Sequence, residues 1–150
     1  MTSIFDTCLF LTLFQIKHYL GDFQLQTGWI ARNKGRYGHP SGIVHAGVHG
    51  ALSLPILLWF ALPWNFALGL VLAEVVLHYH IDWAKARRVA QEGVTETDPR
   101  FWYYLGLDQA AHQLTYIALL AVVASRVRVL VQDPRPCATA RITNDTTSRI

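Results

Sequence analysis

Charge is scarce in this chain. Only 15% of its 150 residues are Asp, Glu, Lys or Arg, whereas 52% are hydrophobic and the mean hydropathy is +0.24, a balance unusual for a soluble domain. Cysteine is nearly missing too. Cys8 sits in an apolar stretch and Cys137 in a polar tail, with no CxxC spacing, so neither a disulfide framework nor a cysteine zinc finger is expected. No Lys or Arg precedes the first apolar run and no small-residue cleavage site follows it, so that run is read as a retained helix, not a removable signal. The net charge of +3 and pI near 9.1 do not announce nucleic acid as a partner, because the basic residues flank helix ends instead of forming a stripe.

The apolar residues collect in four long runs: about Ile4 to Leu25, Ser41 to Leu62, Trp64 to Trp83 and Phe101 to Ala124. A helix of roughly 20 apolar residues spans about 30 Å of hydrocarbon, so each run is long enough to cross once. The expected fold is all-α: a polytopic membrane protein with a four-transmembrane-helix antiparallel bundle over residues 1–130 and a disordered polar tail over 131–150, rich in Pro, Thr, Ser, Asn and Arg. A basic loop, Ala31 to Pro40, joins the first two runs, with Ser41 as the expected N-cap of the second. A turn at Pro63-Trp64-Asn65 joins the second and third, and Phe101-Trp102-Tyr103-Tyr104 opens the fourth with interfacial aromatics. Arg32, Lys34, Arg36, Lys85, Arg87, Arg88 and Arg100 cluster around the first and third connections, against Arg126, Arg128, Arg135, Arg141 and Arg149 after the last run. The positive-inside rule then predicts a multi-pass inner-membrane protein with the basic loops cytoplasmic and both termini outside.

One polar spacing recurs in every run. His18 and Asp22, His45 and His49, His78 and Asp82, and Asp108 and His112 are each four residues apart, which puts both members of a pair on one helical face. Seven His and seven Asp scattered at random would give only about one such pair. The pairs fall late in the first and third helices and early in the second and fourth, so alternating chain direction brings all eight groups to one level on the basic-loop side. Ionisable groups at that depth cost roughly 2.5–3.5 kcal/mol each, and they usually face inward, pair and mark functional sites. Glu74, four residues before His78, extends the stripe deeper as a candidate proton carrier, with Lys17 and Lys85 as access residues. His39 and His80 are assigned to the interface, while Gln26, Gln109 and Gln113 are candidate supports, each of them equally readable as a solvated or helix-bridging amide.

Imidazole nitrogens mixed with carboxylate oxygens suit a divalent metal, zinc first, with manganese or iron as alternatives. His18, Asp22, His45, His49, His78, Asp82, Asp108 and His112 are the ligand candidates; three or four would bind directly, one ion or two, and the remainder would orient them. A metal lowers the pKa of bound water towards about 7 and so suits hydrolysis of an ester, amide or phosphoester. His45-Ala46-Gly47-Val48-His49 lacks the glutamate of an HExxH motif, so a general base would come from Asp22, Asp82, Asp108 or Glu74. The same groups admit a proton or metal-ion transport element, a His/Asp network that only binds helices together, and bis-histidine haem, to which the aspartates are poor neighbours.

His18-Tyr19-Leu20-Gly21-Asp22-Phe23-Gln24-Leu25-Gln26 with Trp29, Asn33 and Lys34, then His45-Ala46-Gly47-Val48-His49, His78-Tyr79-His80-Ile81-Asp82 with Lys85, and Leu107-Asp108-Gln109-Ala110-Ala111-His112 follow one another over about residues 10–120. This succession resembles a bacterial membrane-protein family called domain of unknown function family 3307. The resemblance implies a membrane location and a shared polar site, and supplies no reaction. The leading expectation is a metal-dependent hydrolase acting on a lipid or lipid-linked ester or amide, with membrane lipid as its partner; oligomeric state is not legible.

Overall fold

The computed structural model describes residues 3–132, and among them the chain forms helices and no strand. Helix α1 runs over Ile4–Tyr19 and passes without interruption into a π-helical turn at Leu20–Gln24. A short helix, α2, covers Gly28–Asn33, followed by α3 (Pro40–Trp59), α4 (Trp64–Gln91) and α5 (Pro99–Gln132). The tail expected from residue 131 begins as the last turn of α5, and its remainder, with Arg135, Arg141 and Arg149, lies outside the described residues.

Local chemistry sets the helix ends. Ser3 caps α1 through a reciprocal box, its hydroxyl accepting from the Asp6 amide at 3.1 Å while the Asp6 carboxylate accepts from the Ser3 amide at 3.3 Å. The cap of α3 differs from expectation. His39, not Ser41, occupies it: the imidazole Nδ1 accepts from the Ser41 amide at 3.2 Å, and Pro40, which has no N–H to satisfy, takes the first helical position. Asp98 begins α5 in the same way, accepting from the Arg100 amide at 2.8 Å ahead of Pro99. The Arg100 guanidinium bonded to Asp98 holds that carboxyl below the usual carboxylate range. Helix α4 ends at Gln91, and two residues on Gly93, whose φ of +60° a residue with a Cβ adopts only under strain, turns the chain into the 94–98 loop.

Three helices are long and apolar enough to cross a membrane: α3, α4 and Pro99–Arg128 of α5. Helix α1 has 16 residues and spans about 24 Å before its π-helical turn. Only 22% of the apolar window of α4 is buried, so most of its hydrophobic surface points away from the protein. Exposed Leu72, Val76, Leu77, Leu114 and Ile117 continue that coat, whereas the interior holds His, Asp, Glu and Lys. An apolar exterior around a polar interior is the arrangement a bilayer demands, and the chain is a membrane protein.

The interior is layered. Phe10, Phe14, Leu57, Ala67, Leu70, Leu119 and Val123 fill the end near the α3–α4 turn, with Phe10 and Phe14 stacked at 4.4 Å between ring centroids. The most extensive helix contact is between α3 and α4. Gly50 makes it possible, because a Cβ there would lie 2.6 Å from Val75 Cγ2 and force the helices apart. Next to the apolar layer lie Lys17, Glu74 and Tyr116, and beyond them the histidines and aspartates.

Candidate functional site

All eight predicted His and Asp side chains are buried together in one layer, with exposures of 0–7%. Each of the four long helices contributes one histidine to a closed ring: His18, His49, His78 and His112. Their neighbouring ring centroids are 5.5 Å (His18–His49), 3.7 Å (His49–His78), 4.3 Å (His78–His112) and 4.8 Å (His112–His18) apart. One helical turn further towards the basic loops stand Asp22, His45, Asp82 and Asp108. Four-residue spacing on each helix therefore produces two adjacent tiers.

The contacts within and between the tiers are short, but they are not ordinary hydrogen bonds. Asp22 Oδ1 is 3.2 Å from His45 Nε2, 3.1 Å from His49 Nε2 and 3.8 Å from His78 Nε2. Asp82 Oδ2 is 2.9 Å from His45 Nε2 and 3.3 Å from His78 Nε2. In none of these does a ring N–H point at the oxygen. Asp22 Oδ1, His45 Nε2, both nitrogens of His49 and of His78, Asp82 Oδ2 and His112 Nε2 are all buried without a hydrogen-bond partner. Each such atom costs roughly 1–3 kcal/mol if left unsatisfied. These atoms cluster instead. Asp22, His45, His49 and His78 offer donor atoms all within 4.8 Å of one another, as do His78, Asp82 and His112, so two donor groups share His78. A buried set of imidazole nitrogens and carboxylate oxygens in that spacing can hold a divalent ion.

The surrounding groups fix this set from outside. His112 Nδ1 donates to the Asp108 carbonyl at 2.9 Å, which leaves Nε2 as the nitrogen carrying a free lone pair. Tyr116 donates its hydroxyl to His18 Nδ1 at 2.8 Å; His18 Nε2–H donates to Gln109 Oε1 at 3.1 Å; and the Gln109 amide donates to Asp22 Oδ2 and Asp108 Oδ2, both at 3.3 Å. Because the amide oxygen can only accept, the direction of every proton in that chain follows. His18 is thus engaged at both ring nitrogens and stands outside both donor groups. Asp108 also stands outside them, and its Oδ1 has no partner. Lys34 donates from Nζ to Asp82 Oδ1 at 3.0 Å, holding the carboxylate from the loop side.

Other residues of the sequence reading fall in different places. Glu74 is buried in an ion pair with Lys17, whose ammonium also sits 4.5 Å from the Tyr116 ring centroid. Lys17, 3% exposed, is therefore an interior residue and not the access residue the sequence led us to expect. His80 points outward to Tyr37, at 3.3 Å. Gln113 is exposed, and Gln26 is half-buried with an unpartnered amide oxygen. Sequence reasoning missed Tyr116, which no spacing connects to a histidine 98 positions earlier, and Gly21. The π-helical turn brings Gly21 so close to His49 that a Cβ would lie 2.3 Å from Nε2. The run Gly21-Asp22 between apolar residues was the available signal for that approach.

Two clefts approach the layer. One, about 720 Å³, lies between the α2 segment and the end of α4, with Arg32, Lys34, Arg36 and Lys85 in its walls. The other, about 410 Å³ and mostly apolar, reaches Asp108 between α4 and α5, past Ile81, Ala84, Leu107 and Ala111.

The family model described as protein of unknown function (DUF3307) matches residues 10–134. The chain belongs to this family. The match runs through all four His/Asp pairs and both clefts, so the layer lies wholly within the part that defines membership in DUF3307. No curated protein and no solved structure gives a significant match.

Proposed function

We propose that this protein is a metal-dependent membrane hydrolase that cleaves an ester or amide of a lipid or lipid-linked substrate at the membrane interface. The observation that carries the reading is the convergence of unpartnered donor atoms from Asp22, His45, His49 and His78 in a buried layer. In this reading those four hold the ion, zinc first and manganese or iron next, and Asp82 and His112 extend the set through His78. When bound, a divalent ion supplies a Lewis acid for water and for the carbonyl under attack.

The protein's own groups divide the remaining work. Asp22 and Asp82 are committed to the donor groups and Glu74 to Lys17, which leaves Asp108, a residue of the apolar cleft whose Oδ1 has no partner, as the proton acceptor. Lipid enters that cleft sideways from the bilayer. Around this site we propose four crossings arranged as an antiparallel bundle, with α1 and its π-helical turn as the first. The basic loops then face the cytoplasm, and both termini lie outside a bacterial inner membrane. Transport is the weaker reading, because the layer beyond Lys17 and Glu74 is filled by Phe10, Phe14, Leu57, Leu70 and Leu119, an apolar plug across any polar path.

The test is turnover in lipid nanodiscs. Zinc-loaded protein should release fatty acid or amine from membrane lipids, chelation should abolish release, and Asp108→Asn should lower the rate on the order of 10²–10⁴-fold with metal content retained, the range for loss of a general base. An Asp108→Asn variant at full rate, or no metal-dependent release from any ester or amide lipid, would refute hydrolysis.

A further inference from the structure

The cleft beside α2 differs from the rest of the surface in charge. Arg32, Lys34, Arg36 and Lys85 all line it, against a single carboxylate, Glu96. Among the described residues no carboxylate lies within ion-pair distance of Arg32, Arg36 or Lys85, and only Lys34 has such a partner, Asp82. Cations that outnumber the counter-charges in a concavity focus a positive potential there. Lys34 and Lys85 tie the cleft to the site. Lys34 touches Asp82 in the His/Asp layer, while Lys85 lines the apolar cleft that reaches Asp108 as well as this one. Gln26 completes the wall on the side of the chain that follows the π-helical turn. Exposed Trp29, Tyr37, Trp102 and Tyr103 surround this end of the molecule, where aromatic side chains mark the headgroup level of a membrane.

We propose that this cleft binds the anionic, phosphate-bearing headgroup of a membrane lipid, with the acyl chain lying in the apolar cleft across Lys85. The inference rests on the reading of the site given above, to which it adds a substrate class. Arg32 and Arg36 take the phosphate oxygens as charge-assisted acceptors, and Lys85 neutralises the remaining charge.

The experiment is lipid retention by native mass spectrometry on protein taken from phosphatidylcholine nanodiscs doped with phosphatidylglycerol or phosphatidic acid. Wild type should retain the anionic lipid selectively. The Arg32→Gln/Arg36→Gln/Lys85→Gln variant should lose that selectivity on the order of a hundredfold, at the strength of three basic residues at an anionic surface. Arg87→Gln/Arg100→Gln, which removes charge outside the cleft, should keep it. Displacement of the lipid by millimolar glycerol phosphate would mean that the phosphate alone is read, and resistance to it that the phosphate is bound only as part of a lipid; both support the cleft. Equal retention of anionic and zwitterionic lipid by wild type, or equal losses in the two variants, would overturn it. Elemental analysis of the same samples separates this result from the metal reading, since the triple variant should keep its metal.

Discussion

Lys17→Met should destabilise the protein by roughly 3–5 kcal/mol, and Lys17→Met/Glu74→Gln should recover most of that loss. Lys17 and Glu74 are 3% and 1% exposed, and they face each other between the apolar plug and the histidine ring. Removing the ammonium, which sits over the Phe14 and Tyr116 rings, leaves the Glu74 carboxylate buried with no counter-charge, and it is this orphaned charge, more than the lost attraction, that makes the single change severe. The double variant removes both charges and keeps similar volumes. Thermal unfolding in detergent, followed for the two singles and the double, checks it. Additive losses in the double variant would mean that the two groups do not act as a pair.

Gly21→Ala should disable the site while leaving the rest of the fold in place. The added methyl would meet His49 at 2.3–2.9 Å from three ring atoms, and the ring has nowhere to retreat because it is stacked at 3.7 Å on His78. Either the π-helical turn shifts or His49 leaves the donor group; overpacking of this kind costs about 1–3 kcal/mol. Gly47→Ala is the matched control, since a Cβ at Gly47, two residues from both His45 and His49, meets nothing within 4 Å. Metal retention should fall severalfold in Gly21→Ala and be unchanged in Gly47→Ala. Equal retention in both would show that the close approach at Gly21 does not matter.

Both expectations concern residues whose importance the sequence conceals. The i,i+4 pairs were legible because a helix turns four residues into one face and because alternating crossings bring equal depths together; the structure puts all eight side chains in one layer for that reason. Distances along the chain say nothing of what lies across the bundle. Lys17 meets Glu74 over 57 positions, Lys34 meets Asp82 over 48 and His18 meets Tyr116 over 98, so these partners could be read only once the helices were packed. Gln109 was visible as a polar residue beside Asp108, but its action as the link from His18 to two aspartates depends on helix rotation that composition does not report. Helix α2 was hidden inside a segment rich in loop-forming residues, and the cap at His39 was missed because serine is the commoner capping residue. The first run was legible as a helix, yet its passage into a π-helical turn at Leu20 has no apolar signature.

The division of roles among the carboxylates also needed coordinates. Asp22, Asp82, Asp108 and Glu74 look alike as candidate bases in the sequence. In the fold Asp22 and Asp82 face the unpartnered imidazoles, Glu74 is tied to Lys17, and Asp108, whose buried Oδ1 has no partner, lines an apolar cleft. In the proposed hydrolase it is environment, not residue type, that separates a ligand from a proton acceptor.

The central claim is that the buried layer holds a metal ion, and elemental mass spectrometry on detergent-purified protein tests it most directly. Wild type, reconstituted with zinc, manganese or iron and washed, should carry near-stoichiometric metal. His49→Ala and His78→Ala should lose it under the same washing, and His80→Ala, whose ring points outward to Tyr37, should not. No metal in the wild type after reconstitution, or the same loss in His80→Ala as in His49→Ala, would contradict the metal centre and leave the layer as a His/Asp network that only binds the helices together.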